Sequence, residues 1–195
     1  MTEQEVFVLS EQYLKSVIDQ IQDDKWQLTV DKRVSAYRPD ITLRALVNYH
    51  AYDDSWVADT LAGKTIDEVG DTYRGDLLGD NPKQAYDDIN TKSQETVRNF
   101  TDLDKIVHLT YGDFPAREYL KHTATYRGFQ GWAIARFLGI DDTMPVELVE
   151  GLSAVIMPSM NDWRAMGVFA PEIAVPPGAD RQTELLCKTG FYYPR

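Results

Sequence analysis

Residues 41–63 read ITLRALVNYHAYDDSWVADTLAG. Leu43, Leu46, Val47, His50, Val57 and Leu61 recur at the spacing that places side chains on one face of an amphipathic helix. Asp40 or Thr42, just after Pro39, can cap its first turn, and Gly63 closes it. The expectation is a helix over Asp40–Ala62.

The same period appears on both sides. Upstream, Val6, Leu9, Tyr13, Leu14, Val17, Ile18 and Ile21 predict a helix over Glu3–Gln22 with acidic and polar residues outside, broken by Asp23, Asp24 and Lys25. Residues 64–81 are rich in Gly, Asp and Thr without a period and read as a long surface loop. Asn81 as cap and Pro82 at the first helical position open a third helix to Asn99. Residues 105–112, KIVHLTYG, suggest a short extended connection or small strand. Pro115 opens a fourth helix over Ala116–Leu138, with Gly139 at its C-cap.

A fifth helix is expected over Val146–Met157, then a short stretch around Trp163, and a last helix over Arg181–Lys188. Between them FAPEIAVPPGAD (169–180) lacks a helical period and is expected to wrap the bundle, with Phe169, Ile173, Val175, Leu185 and Leu186 packed on it. The fold class is therefore all-α: one domain over residues 1–195, a four-helix bundle with extra C-terminal helices and a proline-rich tail.

Composition narrows the function. The 195 residues are 43% hydrophobic and 26% charged, as in an ordinary globular domain. A formal net charge of -11 repels phosphate backbones and anionic lipid, so nucleic acid and membrane are poor partners. The opening MTEQEVFVLSEQ has no basic run before an apolar stretch, and no apolar run reaches spanning length. Cys187 is the single cysteine, which excludes an internal disulfide and a thiolate metal cluster. The expected compartment is the cytoplasm.

The chain has three histidines, and none forms an HxxxH or HExxH pair. His50 lies on the apolar face of its helix, where it is either a hydrogen-bonded core or groove residue or a metal ligand. Glu118, His122, Tyr126 and Gln130 follow one another at steps of four and form a polar stripe on the fourth helix. Glu118 and His122 could chelate a metal or form an exposed ion pair. His108 is expected at the surface. Phosphate-binding GxGxxG and GxxxxGK[ST] loops and the GxSxG elbow are missing. Cys187 reads as a small buried hydrophobe. The adjacent pairs Asp53-Asp54, Asp87-Asp88 and Asp141-Asp142 diverge in direction and read as solvated or capping residues. No catalytic residue is identified.

Four stretches carry a family resemblance. ITLRALVNYHAYDDSWVADTLAG (41–63) resembles the second helix of the DinB-like, mycothiol-dependent maleylpyruvate isomerase superfamily, with its N-H pattern falling on His50. LLGDNPKQAYDD (77–88) resembles that family's start of the third helix, and residues 109–140 resemble its fourth. MGVFAPEIAVPPGADRQTELLCKTG (166–190) resembles the tail of its short actinobacterial members. The resemblance implies an up-down-down-up four-helix bundle. It also implies a divalent metal, zinc or nickel, on three side chains, which activates a low-molecular-weight thiol for isomerisation or transfer.

The implied ligand positions are His50, Tyr126 and Gln130, a degenerate set, with His122 as the alternative in a shifted register. Tyr is a rare ligand and Gln a weak neutral one for such a metal. Two functions follow. One is a metal-dependent, mycothiol-type transferase or isomerase of small molecules. The other, with the metal-free site favoured, is a non-catalytic relative that binds a small ligand in the same groove, with Tyr126 and Gln130 hydrogen-bonded to the imidazole. A homodimeric scaffold is the third reading.

Overall fold

The computed structural model describes residues 1–35 and 40–194; Pro39 lies outside the described residues. The chain is mostly helical, with one small two-stranded sheet.

Helix α1 (Glu3–Ile18) begins at a capping box. Thr2 Oγ1 accepts from the Glu5 N–H at 3.2 Å, and Glu5 Oε2 accepts from the Thr2 N–H at 2.7 Å. It ends before the expected Gln22 because Gln20 and Ile21 bond back to Val17 and Ile18, tightening the chain into three-residue turns. Ile21 is still carried into the core, fully buried. Helix α2 (Leu43–Leu61) starts later than expected, since Asp40 takes the left-handed φ of 67°. Thr42 is the cap, accepting from the Ala45 N–H at 3.1 Å.

The expected loop over 64–81 contains a one-turn helix, α3 (Ile66–Val69), held by a second capping box between Thr65 and Glu68. Helix α4 (Pro82–Asn99) starts at Pro82 as expected, but the Asn81 side chain makes no capping bond. The extended connection is strand β1 (Ile106–Leu109), paired antiparallel with β2 (Gly112–Pro115), a partner that the sequence pattern did not reveal. Helix α5 (Ala116–Leu138) ends at Gly139, whose left-handed φ of 70° suits glycine. Helices α6 (Val146–Ile156), α7 (Met160–Ala165) and α8 (Arg181–Lys188) complete the chain.

Helix α1 packs along α5 and also against α4, and α4 packs on α2. The close α1–α5 approach depends on Gly131. A Cβ there would sit 2.7 Å from Tyr13 Cδ1 and 3.4 Å from the Leu14 Cα. The backbones of α2 and α5 do not pack closely; side chains close that side of the bundle.

The tail is anchored at fewer points than expected. Phe169, Leu185 and Leu186 are buried, and the Phe169 ring meets Trp163 at 5.6 Å and Phe129 at 6.3 Å. Ile173 and Val175, expected to pack on the bundle, are 36% and 39% exposed. The backbone explains this: the Ile173 N–H bonds to the Cys187 carbonyl, so α8 holds the segment without help from these side chains. Among the described residues no helix is long and apolar enough to cross a membrane.

Candidate functional site

Arg127 closes the gap between α2 and α5. It is fully buried. Its Nε donates to Glu11 Oε1 at 3.0 Å on α1, and one terminal nitrogen donates to Asp54 Oδ1 at 2.6 Å on α2. The other donates to His50 Nδ1 at 2.8 Å and stands 3.6 Å from Asp53. Asn90 of α4 completes the cluster, donating to Glu11 Oε2 at 2.7 Å and reaching Asp54 at 3.3 Å. All four long helices therefore meet on one ionic network.

Burial, and then the neighbouring Asp54, push the Glu11 carboxyl well above the usual carboxylate range. Glu11 and Asp54 both face the guanidinium, at 3.0 and 2.6 Å. Burial first, then Arg127, pull the His50 imidazole well below its ordinary value, with Gln130 opposing weakly. His50 is therefore neutral. A guanidinium can only donate, so Nδ1 is the acceptor and the proton sits on Nε2.

The sequence reading missed this network. The pattern predicts Glu11 on the outer, acidic side of its helix and Asp54 as a solvated aspartate; both are buried. The signal was present. Glu11 stands four residues after Phe7 and three before Leu14, and Asp54 four after His50 and three before Val57, so both share the inner face.

Above the network a cavity of about 750 Å³ opens between α2, α5 and the C-terminal segment. The stripe Glu118, His122, Tyr126 and Gln130 forms one wall of it. Phe129, Trp163, Phe169 and Phe191 make much of the rest. A smaller cavity of about 370 Å³, with Tyr52, Asp53, Trp56 and Tyr119 on its wall, adjoins it. Tyr49, Tyr111, His122 and Tyr126 belong to both.

The structure brings His50, Tyr126 and Gln130 together, but not as a ligand triad. The Tyr126 ring lies 5.4 Å from the imidazole, tilted by 42°. The Gln130 amide nitrogen donates to the Val34 carbonyl at 3.0 Å; neither Gln130 Oε1 nor His50 Nε2 makes a well-formed hydrogen bond, although Gln130 lies near enough to oppose the fall of the imidazole pKa. His122 is half-buried among rings, with Phe114 and Trp163 each at 5.3 Å and the Tyr111 hydroxyl 3.4 Å from Nδ1. Glu118 pairs with Lys121 at 2.8 Å instead of with His122. His108, on β1, meets Asp113 at 2.8 Å.

A divalent metal does not fit these donors. On His50, Nδ1 is taken by a guanidinium and Nε2 carries the proton, so neither nitrogen offers a lone pair. The adjacent positive charge repels a cation, and the other two positions supply a phenol and a neutral amide. Among the described residues no group of three or more His, Cys, Asp and Glu side chains is placed to hold a metal ion. Comparison with known proteins gives no matching family model, no matching curated sequence and no matching solved structure.

Proposed function

We propose that this chain is a non-catalytic, DinB-like helical bundle in which a guanidinium has taken over the place of the metal, and that it binds a small, mainly apolar molecule in the cavity between α2 and α5. The observation that carries this reading is the 2.8 Å contact from Arg127 to His50 Nδ1, which removes the family's implied first ligand from metal chemistry. The cavity supplies the rest: its volume and aromatic walls suit a ligand of small-molecule size. The up-down-down-up helix order, and a cytoplasmic location in keeping with one cysteine and an acidic surface, belong to the same proposal.

The mycothiol-type transferase or isomerase reading draws on a different feature. His122 sits between the two cavities, and burial lowers its pKa, so it is neutral and able to accept a proton at pH 7. That reading requires ligand binding to depend on zinc or nickel. The test is a fluorescence titration with 1-aminoanthracene, a neutral probe of apolar cavities. One saturable site is expected, lost in Val168→Trp, which fills the cavity from an exposed wall position. No saturable binding, or binding unchanged in Val168→Trp, would remove the reading.

A further inference from the structure

The larger cavity carries a second level of information in its polar atoms. Gln130 and Thr125 are 6% and 5% exposed, and both lie on its wall. Gln130 Oε1 and Thr125 Oγ1 are buried without a hydrogen-bond partner. An acceptor left unpaired in the interior is disfavoured, so a bound molecule that supplies the missing bond gains against one that does not. The Gln130 amide cannot turn to remove the need. Its nitrogen is committed to the Val34 carbonyl, which fixes the oxygen as the end that is left over. An amide oxygen has two lone pairs, so a relaxed contact with the neighbouring His50 Nε2–H still leaves one for a ligand.

The charged groups on the wall are already engaged. Arg33 pairs with Asp31 at 3.0 Å and lies 4.8 Å over the Tyr193 ring, and Glu118 pairs with Lys121. A charged ligand would have to displace one of these pairs, whereas a neutral one would not. The rings of the wall are set at steep angles. Phe129 meets Phe191 at 4.8 Å and 43°, and Trp163 meets Phe169 at 5.6 Å and 47°. Such a wall presents both ring faces and ring edges, which is the complement of a flat aromatic molecule. A purely aliphatic chain would gain burial but leave the Gln130 oxygen unpaired.

From these features we infer that the ligand is a neutral, planar aromatic molecule bearing an N–H or O–H donor, such as an indole or a phenol, seated with its donor on Gln130 Oε1. This rests on the binding reading above and assigns it a chemical class.

Two isomers test it. 3-Methylindole keeps the ring N–H, whereas 1-methylindole has the same mass and lacks it. Displacement of 1-aminoanthracene should show 3-methylindole binding about tenfold tighter, the equivalent of one net hydrogen bond. Gln130→Leu should remove that preference while leaving 1-methylindole unchanged. Gln130→Met, closer to glutamine in length but without the acceptor oxygen, is the second variant should Gln130→Leu fail to fold, and it should likewise remove the preference. Equal binding of the two isomers by the wild-type protein would overturn the donor inference and leave the apolar cavity standing. Failure of both isomers and of the probe would overturn the cavity reading itself.

Discussion

Arg127 donates a hydrogen bond to His50 Nδ1 at 2.8 Å in the interior of the helical core, where neither side chain is exposed. A metal-binding histidine needs one ring nitrogen free for the metal and an acceptor on the N–H of the other. Here a donor faces the ring nitrogen instead. Arg127 is also the counter-charge for Asp54 and a partner of Glu11.

Removing that counter-charge should be costly. Arg127→Met leaves buried carboxyls without their cation, and breaking such a cluster from one side is worth about 3–5 kcal/mol. Urea unfolding followed by circular dichroism would measure it. A loss below about 1 kcal/mol would show that the cluster is hydrated and not buried.

Two opposed pH limbs should be separable by mutation. His50 has a depressed folded-state pKa, so its contribution is present above about 6.5 and is lost as pH falls below that value. Glu11 has a raised one, so its contribution is complete below about 4.5 and is lost as pH rises towards the folded value. Between these values the two limbs run in opposite directions. Each proton sets a slope of about 1.4 kcal/mol per pH unit. Glu11→Gln should therefore gain stability with rising pH up to about 6.5, and His50→Gln should lose it from about 4.5 upward. Parallel pH profiles for both variants would count against the protonation states assigned.

The tail should divide into anchoring and idle positions. Phe169→Ala removes a buried ring that packs on Phe129 and Trp163 and should cost about 3 kcal/mol. Ile173→Ser and Val175→Ser should each change stability by less than about 0.5 kcal/mol, since both are exposed. Truncation after Gly167 should lower the melting temperature and the solubility. An unchanged melt would show the tail to be a free extension.

Much of the fold was legible because hydrophobic period reports directly on helices. Pro82 and Gly139 fixed helix ends by their own backbone limits, so α4 and α5 match the expected bounds. The end of α1 and the strand β2 were hidden, because a tightening turn and a hairpin partner depend on contacts that period does not encode. At the site, the stripe from Glu118 to Gln130 was visible and does line the cavity. The ionic network was not, because an acidic side chain at an inner-face position is stable only opposite a buried cation, and helical period does not reveal which facing helix supplies one. Glu11 and Asp54 sit at inner-face spacing, and an arginine on a facing helix is what makes that placement tolerable.

Metal affinity should have to be built in. Zinc should bind the wild type only weakly, while Tyr126→Glu with Gln130→His supplies a carboxylate and an imidazole of its own that Arg127 does not engage, and should bind more tightly. Equal, tight binding by both proteins would show that His122 or Glu118 completes a site in a different register.

The most direct measurement is the titration of chelator-treated protein with 1-aminoanthracene, run with and without one equivalent of zinc. A cavity that works through its aromatic walls and the Gln130 oxygen should bind the probe with the same affinity in both. Binding that appears only when zinc is present would contradict the assignment of Arg127 as the replacement for the metal.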